Sequence, residues 1–435
     1  MKHYLFCLRH FNDIDNITPA IHFLLERRPV RVTILIYSLD YDYRSDPSLQ
    51  FLQKTWGERL RVVWIGALAG YSEAIISRPR FRKLYQGWRL VFRKPVLSWA
   101  IAKSDAQGNW ALWLRNLFDS WGCPSTAIFD QNRTSTIAGL LAALRGAGVE
   151  RIISLPVSPW INFNVLRQVD FIRLDAAAFW ENHDYSGFDE IGQVDSYYRD
   201  SLDDFFKLLG HPSPFQDRDR ILGAIRFTEA WLTVRANYGN KDSDKNRLPP
   251  RNPECRRLLI LPSHRKGNAF WDEYLRTLQF IDQFEGYDIL VKPHTRYGDG
   301  YNNLPENIRM MPDADTSQLI DWSEIILYWS SSVVLEGFQK GKTMINLDYL
   351  NGNHSVFSLF EAGYHCRSRD DLMKVLLSEQ EMRKAETVSA KGRNMVRKNI
   401  IEGGQGSKVV ERYLEFCEGV PDTVTSFPKS GPVQS

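Results

Sequence analysis

Residues 288–348 constrain the fold more than any other part of this 435-residue chain. Two apolar runs, one ending at Lys292-Pro293-His294 and one at Tyr328, are typical of β-strands, and a polar turn follows each. The second turn, Trp329-Ser330-Ser331-Ser332, leads directly into a predicted helix. Successive strand–turn–helix units build parallel sheets, whose ligands bind beyond the carboxyl ends of the strands. The segment therefore predicts a ligand-binding α/β domain.

The serine-rich turn has the composition of an anion site. Unpaired N–H groups at a helix start, three hydroxyls and the positive end of the helix dipole favour a phosphate. Glu336 falls about one turn into the helix, where its carboxylate could accept ribose hydroxyls or lie beside the phosphates. Lys292 and His294 add cationic groups from the end of the other strand. Together these residues predict a nucleotide-sugar site, although a serine run is also a common helix cap.

The same segment resembles a known family. LVKPH, then Asp321, then YWSSSVVLEGFQKGKTMIN is similar to the C-terminal half of GT-B glycosyltransferases. The resemblance is to the group with the capsule polysaccharide transferases and the CDP-glycerol glycerophosphotransferases. Thr295 and Thr343 stand where that group usually has proline. Upstream, ILGAIRFTEAW at residues 221–231 resembles the Gly-x-Pro-Arg-Phe segment of surface-carbohydrate transferases, with Ile225 in place of proline.

The resemblance covers about residues 220–350 and implies a GT-B fold, in which two Rossmann-like parallel-sheet α/β domains face a central cleft. Residues 237–255 are polar and proline-rich, which is typical of a linker. We therefore expect an N-terminal acceptor domain over 1–236, that linker, a nucleotide-donor domain over 256–400, a C-terminal helix over 401–418 that crosses back, and a disordered tail over 419–435.

The resemblance also implies residues of the donor site. Arg226, in the Arg-Phe segment, is expected to grip a phosphate, and a salt bridge to the acid-rich stretch before it is the structural alternative. His264 and Arg265 follow a predicted strand, where GT-B enzymes often contact the donor phosphates. The predicted nucleotide-binding residues are thus Arg226, His264, Arg265, Lys292, His294, Ser330, Ser331, Ser332 and Glu336.

The N-terminal half offers candidates for the base that deprotonates an acceptor hydroxyl. A strand over His3–Leu8, a polar loop over Arg9–Asn16, a helix over about Thr18–Glu26 and a second strand form a βαβ unit, so this sheet is also predicted to be parallel. The catalytic candidates are His10 and Asp13 in that loop and Asp130 at a later strand end. Histidine has a pKa suited to this task, but a loop-tip His or Asp could equally cap the helix.

Composition excludes several classes of function. No run of eighteen apolar residues exists, so we expect no membrane span. Five scattered cysteines without a CxxC motif favour free thiols in a reducing cytoplasm. The net charge of +3 is too small to indicate nucleic-acid binding. Without GxGxxG, Walker or strand-flanked DxD sequences, we expect neither a metal nor a cofactor besides the nucleotide-sugar co-substrate.

Residues 78–94 carry seven lysines or arginines and no acid. On a helix, Phe81, Tyr85, Trp88 and Phe92 form an aromatic stripe beside a stripe of arginines. Because such a helix binds anionic lipid surfaces, we expect peripheral contact with the inner face of the membrane or with a lipid-linked acceptor. Packing of the aromatic stripe on the sheet is the alternative.

These observations predict a glycosyltransferase or glycerophosphotransferase that uses a nucleotide-activated donor and a glycan or lipid-linked acceptor to build a bacterial surface polysaccharide. A sugar-nucleotide epimerase or hydrolase on the same scaffold is the second hypothesis. A non-catalytic carbohydrate-assembly protein is the third, and the intact serine turn argues against it.

Overall fold

Two parallel β-sheets, each flanked by helices, form the two α/β domains of the protein. The computed structural model describes residues 1–38, 41–68, 109–119, 121–130, 134–156, 158–159, 161, 184–208, 210–215, 218–238, 248–262, 270–294, 305–352 and 355–421. Within these ranges the sheets contain seven and six strands, and every strand pair is parallel. The predicted architecture of two parallel-sheet domains is confirmed.

The strands of the first sheet lie in the order β3-β2-β1-β4-β5-β6-β7. Their bounds are β1 Lys2–Leu8, β2 Val30–Ile36, β3 Leu60–Trp64, β4 Thr126–Asp130, β5 Arg151–Leu155, β6 Glu190–Gln193 and β7 Asp219–Ile221. The second sheet has the order β10-β9-β8-β11-β12-β13. Its bounds are β8 Arg256–Leu261, β9 Tyr287–Val291, β10 Ile308–Met310, β11 Ile325–Tyr328, β12 Thr343–Leu347 and β13 Tyr364–Cys366.

In each sheet, successive strands are added first toward one edge and then toward the other. This reversal of strand order lies between β1 and β4 in the first sheet and between β8 and β11 in the second. At such a point the loops on either side diverge to opposite faces and leave a crevice at the carboxyl ends of the strands. The two crevices are therefore bordered by the residues that follow β1 and β4, and by those that follow β8 and β11.

The helices cover both sheets. The described α-helices are α1 Phe11–Arg27, α2 Pro47–Trp56, α3 Ile65–Leu68, α4 Asn109–Phe118, α5 Thr134–Gly146, α6 Ser196–Leu208, α7 Glu229–Tyr238, α8 Trp271–Ile281, α9 Thr316–Trp322, α10 Val334–Gln339, α11 Val356–Leu359, α12 Arg369–Leu377, α13 Glu379–Val396 and α14 Val409–Glu418. Several have local start signals. Asp46 accepts hydrogen bonds from the first turn of α2, whose first residue is Pro47, and Ser378 caps α13.

Helix α1 begins earlier than the sequence predicts. The polar loop expected over Arg9–Asn16 is wrong, because the helix starts at Phe11 and contains Pro19 in its interior. The polar residues before Thr18 had suggested a loop with a later helix start. Instead the polar residues of the first turns are buried against strand ends, and Asn16 donates to the carbonyl of Asn12 at 2.7 Å rather than capping a later start.

The C-terminal helix α14 packs into the hydrophobic core of the seven-stranded domain. Val409, Tyr413 and Phe416 are buried in the same cluster as β1 and α1. Arg28, which directly follows α1, donates a hydrogen bond from its guanidinium to Glu418 at the end of α14, at 2.8 Å. The chain thus enters the six-stranded domain at β8 and returns through α14 to the core of the seven-stranded domain.

Some predictions fall outside the described residues. The basic-aromatic segment 78–94, residues 239–247 of the predicted linker and residues 422–435 of the predicted tail are among them. All five cysteines are free thiols. Among the described helices, none combines the length and apolar character needed to cross a membrane.

Asp195 provides a test of how burial controls the stability of the fold. It lies just beyond β6, is buried, and accepts a hydrogen bond from the backbone N–H of Tyr198 at the start of α6. Burial raises the pKa of Asp195 from 3.8 to about 6. Between about pH 4 and pH 6 the folded state keeps a proton that the unfolded state has released, so this group lowers stability as the pH rises through that window.

We expect Asp195→Asn to raise the free energy of unfolding at pH 7.5 by up to about 3 kcal/mol, because a pKa difference of about two units corresponds to that free energy. At pH 4 the substitution should change the free energy of unfolding little. Asparagine keeps the acceptor for Tyr198 but carries no charge. Urea unfolding at the two pH values measures the difference. Asp200→Asn, at a half-exposed position of the same helix, is the control and should shift stability by less than about 1 kcal/mol. A destabilised Asp195→Asn variant at pH 7.5 would contradict the argument.

Candidate functional site

The crevice of the seven-stranded sheet holds a pair of carboxyl groups beside one guanidinium. The backbone N–H and Nε of Arg9, which follows β1, donate to Asp13 Oδ2 at 3.1 and 3.2 Å. Its Nη2 donates to Asp130 at the end of β4. The Tyr37 hydroxyl, which follows β2, lies 3.3 Å from Asp130 Oδ1. Three neighbouring strand ends thus converge on Asp130.

Burial dominates the electrostatics of this carboxyl pair. Asp130 has no exposed surface and Asp13 is 1% exposed. Burial, together with the nearby charge of Asp13 and a hydrogen bond between the two carboxyls, holds the pKa of Asp130 well above its usual range, while Arg9 opposes this shift. Burial and the Asp130 charge likewise hold the pKa of Tyr37 far above normal, so that its phenol remains a donor. Burial therefore favours the protonated form of Asp130, and Arg9 favours the charged form.

His10 connects this buried pair to solvent. Its side chain is 46% exposed, and its Nδ1 lies 3.5 Å from Asp13 Oδ1. The imidazole stands immediately before the first turn of α1, and it makes no side-chain cap there. Of the three residues predicted as catalytic, His10 is thus exposed to a ligand, while Asp13 and Asp130 lie behind it.

The serine turn follows β11 at the crevice of the six-stranded sheet. Ser330 adopts a left-handed backbone with φ of 43°, and its hydroxyl contacts the Asn351 side-chain amide. The Ser332 hydroxyl lies 3.0 Å from that of Ser158, which follows β5 of the other sheet. Helix α10 then begins at Val334 and spans only six residues. The turn's own N–H groups and hydroxyls, more than a helix dipole, are the groups that could bind an anion.

Two of the predicted donor residues are turned into the protein. Glu336 is fully buried, contacts the Ser317 hydroxyl, and pairs with Lys340 at 2.9 Å and with Arg235 of α7 at 3.4 Å. Lys292 is buried and donates to the carbonyl of Pro312. Burial lowers the pKa of Lys292. As placed, neither side chain is directed to a phosphate at the turn.

The remaining predicted donor residues are scattered. Arg226 lies 2.6 Å from Asp15 of α1, so its contact is an ion pair, though with α1 rather than with the acid-rich stretch. His294 follows β9 and is half-buried. Because β8 separates β9 from β11, it lies about 10 Å from the turn by strand spacing. His264 and Arg265 lie outside the described residues. The roles proposed for all these residues remain predictions.

The sequence placed Arg9 at this crevice without indicating a role for it, and it gave no indication of Tyr37 or Asn351. Tyr37 directly follows β2, so the rule that ligands bind at strand ends would have found it as well. Asn351 gives no comparable signal, because its contact with Ser330 depends on how the chain folds after β12. No group of three or more His, Cys, Asp or Glu side chains in the described ranges is arranged to hold a metal ion.

Comparisons with known proteins place the fold. No family model and no curated protein sequence matches the chain. UDP-GlcNAc 2-epimerase from Neisseria meningitidis, solved with UDP-GlcNAc, has a TM-score of 0.57 at 11% identity over 96% of this chain and 100% of that one. S. aureus MnaA, solved with UDP, has a TM-score of 0.56 at 11% identity over 98% and 100%.

The wall teichoic acid polymerase TagF, in a structure with CDPG, has a TM-score of 0.50 at 12% identity over 95% of this chain and 88% of that one. At such identities the likeness shows the fold alone. The GT-B-type architecture expected from the sequence is therefore confirmed, whereas membership of the capsule transferase and glycerophosphotransferase group stays a prediction.

Substitution of Arg9 tests how much its ion pairs with Asp13 and Asp130 stabilise the fold. We expect Arg9→Met to lower the free energy of unfolding by about 3 kcal/mol at pH 8, because a buried charge loses its partner. At pH 5 the loss should be smaller: without Arg9 the pKa of Asp130 rises further, and a raised acid pKa removes stability as the pH rises. Denaturant unfolding at both pH values measures this.

Arg27→Met is the matched control, since Arg27 pairs with Glu411 on the surface, where both side chains are more than one-third exposed. That variant should lose less than about 1 kcal/mol at either pH. Equal losses for the two variants, or a loss for Arg9→Met that does not depend on pH, would contradict the description of the cluster.

Proposed function

We propose that the protein is a GT-B transferase that acts in the synthesis of a bacterial surface polysaccharide. It moves either a sugar or a polyol phosphate from a nucleotide-activated donor to an acceptor hydroxyl. One observation carries the proposal. The serine turn of one sheet contacts the other sheet through Ser332 and Ser158, and Ser158 follows β5, the strand next to the one that ends at Asp130. An anion site and an acid–base site thus border one cleft.

The donor half of the proposal rests on the serine turn. The hydrogen bonds of helix α10 begin with the N–H groups of Val334 and Leu335, which donate to the carbonyls of Ser331 and Ser332. The N–H groups before them can converge on a phosphate, together with the serine hydroxyls. Because charge builds up on the leaving phosphate during transfer, preorganised donors placed there usually make the largest single contribution to lowering the barrier.

The acceptor half rests on His10 and the carboxyls behind it. His10 Nδ1 faces Asp13, so the other ring nitrogen can take the proton of an acceptor hydroxyl. The acceptor oxygen then bonds to the anomeric carbon, or to phosphorus in a glycerophosphate transfer. The bond to the leaving nucleotide breaks, and its electron pair moves to the phosphate oxygen. Asp13, Asp130 and Arg9 hold the imidazole in place.

A sugar-nucleotide epimerase is the second candidate, and a specific observation favours it. Two of the structural neighbours are UDP-GlcNAc 2-epimerases, with TM-scores of 0.57 and 0.52, and the first of them was solved with UDP-GlcNAc. Incubation with UDP-GlcNAc in D₂O without an acceptor distinguishes the two: an epimerase incorporates deuterium into the sugar, and a transferase does not.

We expect substitutions in the serine turn to weaken nucleotide binding and a substitution of His10 to lower turnover. The double variant Ser331→Ala/Ser332→Ala should bind UDP or CDP at least tenfold more weakly, about 1.4 kcal/mol, because charge-assisted bonds to phosphate are lost. His10→Gln should keep nucleotide affinity but lower turnover about 100-fold or more, the usual effect of removing a general base. Calorimetry gives the affinities, and donor consumption with a glycan acceptor gives turnover.

Ser407→Ala, at an exposed position before α14, is the control for loss of a serine hydroxyl and should change neither quantity. Unaltered nucleotide affinity in the double serine variant would remove the donor half of the proposal. Full turnover in His10→Gln would remove the acceptor half.

A further inference from the structure

A polar cavity of about 590 Å³ opens beside the serine turn, at the carboxyl ends of β12 and β13. We call it the β12–β13 cavity. Its lining includes Asp348, Asn351, Ser358, Glu361, His365 and Arg367. Nothing in the sequence motifs pointed to this place, and the transfer chemistry above does not use it.

A histidine–aspartate pair forms one wall of the cavity. His365 Nδ1 lies 2.9 Å from Asp348 Oδ2. A carboxylate only accepts hydrogen bonds, so Nδ1 carries the proton. The Asn346 side-chain amide donates to the other oxygen of Asp348 at 2.7 Å. The orientation of the imidazole is therefore fixed from behind, as in a binding site whose polar groups are positioned before the ligand arrives.

The second ring nitrogen of His365 is not satisfied. Nε2 is buried and makes no hydrogen bond to any described residue, so a ligand hydroxyl in the cavity meets it only after a neighbouring side chain moves aside. An unsatisfied buried polar atom costs free energy, and in a native protein it often marks the place of a ligand or a water. The neutral ring accepts a hydrogen bond at Nε2 and the protonated ring donates one. A hydroxyl group can meet either requirement, because it is both donor and acceptor.

The backbone around the pair is shaped to form the cavity. Glu361 has a φ of 47° and Gly363 a φ of 83°, so the chain turns sharply before β13. A Cβ on Gly363 would come within 3.1 Å of the Met344 carbonyl and of the Tyr328 hydroxyl. Only glycine permits this close approach without strain, and it sets β13 so that His365 faces Asp348.

The charges of the lining favour a neutral ligand. Two carboxylates, Asp348 and Glu361, face one guanidinium, Arg367, so the cavity lacks the cationic excess that a second phosphate would need. Hydroxyl and amide side chains complete the wall. Because Asn351 both lines the cavity and contacts Ser330, a group attached to a phosphate at the turn would lie directly beside it.

We propose that the β12–β13 cavity binds the hydroxyls of the sugar or polyol carried by the nucleotide, with His365 as the hydrogen-bond partner of one of them. The proposal rests on the proposed nucleotide site at the serine turn and specifies the part of the donor that gives the protein its selectivity. His365 acts here in binding, not in the transfer of a proton.

The test compares each nucleotide with its sugar or polyol derivative: UDP with UDP-GlcNAc, and CDP with CDP-glycerol. His365→Gln removes the fixed imidazole. Ser358→Tyr fills the cavity from an exposed position, where a larger side chain does not disturb the core. In native protein at least one derivative should bind more tightly than its nucleotide. Both variants should lose at least tenfold in affinity for that derivative and less than twofold for the bare nucleotide, as measured by calorimetry.

Equal changes for derivative and nucleotide, or no change in either variant, would overturn the inference. So would a native protein that binds each derivative no more tightly than its nucleotide, since the cavity would then contribute nothing. A native protein that binds none of the four compounds overturns the proposed function, and this inference with it. His211→Gln, a histidine substitution in the seven-stranded domain after α6, is the control and should leave all four affinities unchanged.

Discussion

The buried pair of Asp13 and Asp130 needs a cation, and Arg9 supplies it. Two carboxyl groups with almost no exposed surface would be strongly unfavourable as two free charges. Arg9 contacts both and supplies the opposing charge, while burial shifts Asp130 toward its neutral form. This requirement explains why α1 starts at Phe11 instead of after a loop: the early start brings Asp13 back to the Arg9 backbone. The position of His10 at the mouth of the cleft follows from it.

A second set of ion pairs fixes the six-stranded domain relative to this cluster. Arg235 of α7 reaches Asp315 at 3.0 Å and the buried Glu336 at 3.4 Å. Arg226, just before α7, pairs with Asp15 in α1. The segment 226–235 is thus anchored at one end to the helix that carries Asp13 and at the other to the helix behind the serine turn. A change in either pair should shift the turn relative to the carboxyls.

The parts of this fold that follow from apolar patterns were predictable. The strand expected at Ile325–Tyr328 is the observed β11, because an apolar run between polar residues leaves little choice of register. The start of α1 was not predictable in this way, because the polar residues of its first turns are typical of a loop, and their burial depends on tertiary contacts that the local sequence does not show. Glu336 shows the same limit for the site. Its spacing from the serines suggested a ligand contact. Its carboxylate instead accepts a hydrogen bond from Arg235, which lies about 100 residues earlier in the chain.

The central claim is that a nucleotide phosphate binds at Ser330–Ser332, across the cleft from His10. A crystal structure of the protein with UDP or CDP tests it most directly. We expect phosphate oxygens within hydrogen-bond distance of the backbone N–H groups or hydroxyls of Ser331 and Ser332, and the nucleoside on the six-stranded domain. A nucleotide bound at the Arg9–Asp130 cluster, or anywhere away from the serine turn, would contradict it.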